Sequence, residues 1–213
     1  MVFQRCELRT TDPEGARAFY RTLAGDTKLS IVPLPARAQE RGAPSHWLGH
    51  LGVHDVAAAR LRWMEAGATP LGPTRADGVA ALKDPFGSPV ALAPLDGGAE
   101  RAFAKCELHA ADVDAAWDFY REHRDWELQD RGTRPVRYLR FIAHSVDGSI
   151  VETVGKGAHP PWLFYLPVLD LDAALVSVCD AGARPVLGPV DSVLGRVAAL
   201  DDPFGAAFGI VQR

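Results

Sequence analysis

The sequence predicts an α+β protein built as two copies of one domain, each copy about a hundred residues long. Two observations predict this. A set of short motifs recurs in unchanged order along the 213 residues. Within each copy, segments of period two alternate with segments of helical period.

The recurring motifs come first. Phe3-Gln4-Arg5-Cys6-Glu7-Leu8, Asp12 and Phe19-Tyr20 return as Phe103-Ala104-Lys105-Cys106-Glu107-Leu108, Asp112 and Phe119-Tyr120, at an offset of 100. Trp47-Leu48 matches Trp162-Leu163 at 115, as Ala66-Gly67-Ala68 matches Ala181-Gly182-Ala183. Asp84-Pro85-Phe86-Gly87 matches Asp202-Pro203-Phe204-Gly205 at 118. An offset that only grows means one ancestor was copied and then received small insertions. The domains are therefore expected at residues 1–97 and 102–213, with a shortened first unit in the first. The adjacent glycines of Pro94 to Glu100 make a linker between them.

Each copy reads as two strand–helix units. Phe3 to Arg9 alternates, with Cys6 and Leu8 apolar and residues 5, 7 and 9 polar, which is a strand. Asp12 caps a helix with Pro13 at its first position. A strand at Lys28–Val32 and a Pro- and Arg-rich loop follow, leaving this sheet short or completed by the other domain. The second unit opens with Trp47–Val53, then a helix from Asp55 that Gly67 ends. Strands Val79–Leu82 and Pro89–Ala93 close it around Asp84-Pro85-Phe86-Gly87, which has type I turn residues. The second copy repeats this, with a helix from Asp172 and last strands Val197–Leu200 and Ala207–Val211. Its longer middle offers strands Trp126–Gln129, Val136–Ala143 and Ser149–Val154.

Composition narrows function. The formal net charge is -4 and basic residues are scattered, which excludes a nucleic-acid or anionic-membrane surface. No secretory signal and no long apolar span is present, so a cytoplasmic location is expected. Cys6, Cys106 and Cys179 form no C-x-x-C pair and read as buried thiols.

The motifs resemble the vicinal oxygen chelate superfamily, which includes glyoxalase I, extradiol dioxygenases and bleomycin-resistance proteins. The resemblance rests on the opening strand with Asp12 and Phe19-Tyr20, repeated at Asp112 and Phe119-Tyr120. It also rests on the D-P-x-G ending, here Asp84 to Leu92 and Asp202 to Ile210. Glu7 to Glu14 and Trp162 to Asp172 look most like tandem glyoxalase-like proteins labelled as hydroxylases. The resemblance covers the chain outside residues 25–45. It implies tandem βαβββ modules and two glyoxalase-like domains with curved, mixed, mostly antiparallel sheets.

It also implies a divalent metal held by His, Gln or Glu at four cavity-facing positions. Carried over singly, the first-strand position falls on Arg5 and Lys105, and the Trp-Leu-strand position on Leu48 and Leu163. The last-strand position falls on Ala91 and Gly209, and only Glu152 keeps a donor. Cations and alkyl groups do not ligate a metal. No metal or other cofactor is therefore expected. The alternative is a metal site rebuilt from Glu7, Glu107, His109, Glu152 and His50.

Glu7 and Glu107 recur on the polar strand face, either as working carboxylates or as ion-pair partners of Arg5, Arg9 or Lys105. His109 stands where the first copy has Arg9, and His50 corresponds to Tyr165. Glu152 with Lys105 would form an ion pair in place of the metal. Trp47, Trp162 and the Phe-Tyr pairs read as core. The expectation is a protein binding a small organic molecule through Glu7, His50, Lys105, His109 and Tyr165. If it is an enzyme, Glu107 and Glu152 carry acid–base chemistry. The alternatives are a metal-dependent lyase or dioxygenase and a degenerate interaction module. Homodimerisation stays open.

Overall fold

Strand and helix alternate through the chain as the periodicities require. The computed structural model describes residues 2–25, 29–96, 103–122, 126–143, 146–153 and 161–213. The first copy contains β1 (Val2–Thr10), α1 (Pro13–Ala24), β2 (Ser30–Pro33), α2 (Ala36–Glu40) and β3 (His46–Val53). It continues with α3 (Val56–Glu65), β4 (Thr69–Pro70), β5 (Ala80–Lys83) and β6 (Pro89–Pro94). The second contains β7 (Lys105–Ala110), α4 (Val113–Arg121), β8 (Trp126–Gly132), β9 (Tyr138–Ala143) and β10 (Val146–Glu152). It ends with β11 (Trp162–Val168), α5 (Leu171–Asp180), β12 (Arg184–Ser192), β13 (Gly195–Asp201) and β14 (Ala207–Gln212).

Aspartates start the four long helices. Asp12, Asp55, Asp112 and Asp170 each accept a hydrogen bond from a first-turn amide, at Gly15, Ala58, Ala115 and Ala173. Each satisfies an amide that has no partner within the helix. The last helix begins at Leu171 because Asp170, not Asp172, is its cap. Gly67 and Gly182 follow α3 and α5 at φ 98°, the left-handed conformation that ends a helix without a Cβ clash.

The described strands form two mixed sheets. The first has the order β2-β1-β3-β6-β5-β4 and the second β12-β13-β14-β11-β7-β10-β9-β8. The first is thus shorter, as the 25–45 stretch foretells, but that stretch also holds the short α2. The exposed strand β12 was not anticipated, because Pro185 and Pro189 interrupt any alternation. Parts of the linker and of the strands anticipated at residues 28 and 154 lie outside the described residues. No helix among the described residues is long and apolar enough to cross a membrane.

Packing groups the chain differently from the repeat. One compact unit combines Met1–Arg5, Gly49–Ala99 and Cys106–Trp162; the other combines Cys6–Leu48, Glu100–Lys105 and Leu163–Arg213. In the first unit, Trp63 meets Phe119 edge-on, and Trp126 stacks on Phe141 with centroids 4.1 Å apart. In the second, Phe19 and Tyr20 meet Phe208 edge-on, and Trp47 meets Tyr20 and Phe103. Helix α1 of the first copy therefore seats on the closing strand of the second.

Candidate functional site

On β7, burial alternates residue by residue. Cys106, Leu108 and Ala110 are buried, and Lys105, Glu107 and His109 are half-buried. The buried set faces α4. There Cys106 lies 1% exposed, and burial pushes its thiol up, so it stays protonated and is no nucleophile.

The opposite face is polar. Glu107 Oε1 lies 3.0 Å from His109 Nε2, and Ser149 Oγ donates to Glu107 Oε2 at 2.8 Å. Two strands away from β7 in that sheet, Arg140 forks onto both oxygens of Asp147, each at 3.0 Å. The order of the first group matters. The carboxylate stands between hydroxyl and imidazole, so the histidine does not contact the serine and cannot deprotonate it directly. Both Glu107 oxygens already accept hydrogen bonds. This arrangement orients a carboxylate and an imidazole toward a ligand better than it activates a nucleophile.

Strand parity corrects one expectation. β10 pairs with β9 without a break from Val146 to Val151. Ser149 contacts Glu107, so Glu152, three residues on, projects from the other face, and it is exposed. It does not join Glu107, and the ion pair with Lys105 anticipated above is not found among the described residues. Ser149 carries no signal in the sequence, because a lone serine in a strand has no motif.

Tyr165 of β11 stands among apolar groups. Tyr165 pairs with Gly209 in the parallel ladder. A Cβ built on Gly209 would lie 2.2–2.7 Å from the Tyr165 ring, so the absent side chain is what admits the aromatic. Tyr165 is 2% exposed and clusters with Leu163, Leu194, Val197 and Val211. This corrects its expected place among ligand-binding residues: it is core.

In the first copy, β3 and β6 pair His50 with Ala91, the counterparts of Tyr165 and Gly209. His50 is fully buried. Arg5 Nη2 lies 3.3 Å from its Nδ1. A guanidinium can only donate, so Nδ1 carries the lone pair and the ring is neutral. In the other compact unit, Glu7 is buried and accepts from Arg9 Nε at 3.0 Å. His46 stands near this pair; burial holds its pKa below the usual imidazole value, and Arg9 adds to the effect. His46, like Ser149, carries no motif in the sequence.

Among the described residues, the donor set that the resemblance implies for a divalent cation is not assembled. The positions at which the resemblance leads one to expect metal ligands hold Arg5 and Lys105, the buried Leu48 and Leu163, and Ala91 and Gly209. The remaining donor, Glu152, points away. Among the described residues, no group of three or more His, Cys, Asp or Glu side chains could hold a metal.

Comparison with known proteins agrees with the topology. No family model matches the chain. The chain is 26% identical over 220 residues to "Anthracycline biosynthesis protein DauV" of Streptomyces sp. (strain C5), covering 91% of the chain and 79% of that protein. It is 26% identical over 245 residues to "Putative glyoxylase CFP32" of Mycobacterium bovis, covering 97% and 92%. The 2,3-dioxygenase LapB from Pseudomonas sp. KL28 superposes with a TM-score of 0.63 at 14% identity, covering 98% of this chain and 91% of that one. Two βαβββ-derived sheets, the repeated motifs and these likenesses give the chain the vicinal oxygen chelate fold, in a tandem form similar to glyoxalase-like and dioxygenase-like proteins.

Proposed function

We propose that the chain binds a small organic molecule on the polar sheet face around Glu107, His109 and Ser149, without a divalent metal. The observation that carries this reading is the Ser149–Glu107–His109 arrangement. It places an oriented carboxylate and imidazole on a half-buried face, where a ligand can reach them and the local dielectric strengthens each hydrogen bond. The replacement of the metal positions by cations, alkyl groups and glycine supports the metal-free part. The name of DauV points to the chemistry of polycyclic aromatic compounds, which supports an organic ligand with aromatic and hydroxyl character.

The test uses the full chain purified without chelator, its metal content measured, and 1,8-dihydroxyanthraquinone as probe. The expected result is metal far below one equivalent and a melting temperature that rises with probe. Saturation a hundredfold above Kd stabilises by about 2.7 kcal/mol. Glu107→Gln should weaken the response while keeping the fold. About one equivalent of tightly held divalent metal, with binding abolished by EDTA, would establish the metal-dependent alternative. No metal and no response would favour the interaction module.

A further inference from the structure

We infer that Arg5, backed by His50, is a binding site for the carboxylate of an organic acid. Two half-buried arginines have acidic partners: Arg9 has Glu7, and Arg140 has both oxygens of Asp147. Arg5 differs from these, and from Arg60, whose Nε is also buried without an acceptor, in that it meets a buried imidazole. Among the described residues its guanidinium pairs with no carboxylate, and its side-chain contact is the neutral Nδ1 of His50. Its Nε is buried and has no acceptor. A guanidinium stays charged at any physiological pH, so neutralisation by proton loss is closed to it. A partly desolvated cation without a counter-ion, with a buried N–H unused, is costly unless an anion completes it. The planar fork of the guanidinium fits two oxygens of one carboxylate.

His50 contributes by position. Its ring is fully buried beside the strand that carries Ala91, and its contact with Nη2 restrains one end of the guanidinium. The site lies on the opening strand, at the position where the second copy has Lys105. Here the side chain itself supplies the positive charge that would draw an anionic oxygen. This inference goes beyond the metal-free binding reading, because Arg5 and His50 lie on β1 and β3 and not on the strands that carry Glu107, His109 and Ser149.

The test compares benzoate with benzamide, which share shape and differ in charge, by titration calorimetry on the full chain. Wild type should bind benzoate at least tenfold more tightly than benzamide. Arg5→Gln should lower benzoate affinity about 10–100-fold, as expected for a lost charge-assisted hydrogen bond, and leave benzamide unmoved. Arg5→Lys should recover part of the loss. Circular dichroism confirms that both variants fold. If they do not, the Arg5 Nε–H resonance of wild type is followed instead, and it should shift with benzoate and not with benzamide. Equal affinity for the two probes, or benzoate binding untouched in Arg5→Gln, overturns the inference. If dihydroxyanthraquinone binds and benzoate does not, the acid site falls and the metal-free binding reading stands. Binding of no probe overturns both.

Discussion

The phenol of Tyr20 donates to Asp202 Oδ2 at 2.9 Å, across 182 residues of sequence. The same bond occurs with the copies exchanged: Tyr120 donates to Asp84 Oδ2 at 2.7 Å. In each case the other carboxylate oxygen accepts two amides of its own turn, from Phe204 and Ala206 or from Phe86 and Ser88. In each case a tryptophan indole, Trp47 or Trp162, donates to the tyrosine oxygen. The first helix of either copy is thus tied to the last turn of the other. This explains why Phe-Tyr, Trp and Asp-Pro-Phe-Gly recur together in the repeat.

Removing the hydroxyl tests these ties. Tyr20→Phe leaves one oxygen of a buried carboxylate short of a donor and the Trp47 indole without its acceptor. The expected cost is about 1–3 kcal/mol, and Tyr120→Phe should cost the same. At this chain length, each kcal/mol corresponds to roughly 2–4 °C of melting temperature. Denaturant unfolding monitored by tryptophan fluorescence measures it. A change near zero in both variants would mean that the bonds contribute nothing net.

Asp84 and Asp202 also set a pH dependence. Burial raises both carboxyls above the ordinary value of 3.8, outweighing their hydrogen bonds, which act the other way. The folded state then holds the proton more tightly than the unfolded chain does. This contribution to stability is complete below about 3.8 and is lost as pH rises through the folded-state values. The Asp84→Asn/Asp202→Asn double variant lacks that titration. Its stability relative to wild type should therefore improve as pH rises from 3.8 toward neutrality. Unfolding curves collected across that range check the sign. A difference that is flat or falls with pH contradicts it.

These motifs were legible in the sequence as motifs, and their partners were not. Asp12 and Asp112 announced helix caps, and the alternation of β7 announced which residues would be buried, because both depend on neighbours along the chain. The pairing of Tyr20 with Asp202 depends on contacts between copies, which no local pattern encodes. The same limit applies at the candidate site. Glu107 and His109 were found because they share a strand face at a spacing of two. Ser149 arrives from another strand, and its face follows only from the register of β10. Tyr165 looked like a pocket wall until the empty Cβ position of Gly209 showed where its ring goes.

That register is open to a direct contrast. Ser149→Ala removes a donor from Glu107 and should cost about 1–2 kcal/mol. Glu152→Ala removes an exposed carboxylate on the opposite face and should stay within about 0.5 kcal/mol of wild type. If β10 instead placed Glu152 beside Glu107, the order of the two effects would reverse. Chemical denaturation of both variants at one pH distinguishes the alternatives.

The Tyr165 ring over Gly209 gives the last test, by a double-mutant cycle. Gly209→Ala puts a methyl group where ring carbons lie within 2.7 Å, and backbone or ring must move. The expected loss is about 1–3 kcal/mol from overpacking. Tyr165→Leu alone loses aromatic contacts with the cluster of Leu163, Leu194, Val197 and Val211, at a cost of similar size. Combined, the smaller side chain makes room for the new methyl. The double variant should therefore be more stable than the sum of the singles predicts, by about 1 kcal/mol or more. Strict additivity would mean that the ring does not occupy the space above Gly209. The last-strand position would then be open, and a ligand or metal donor could be engineered there without moving Tyr165.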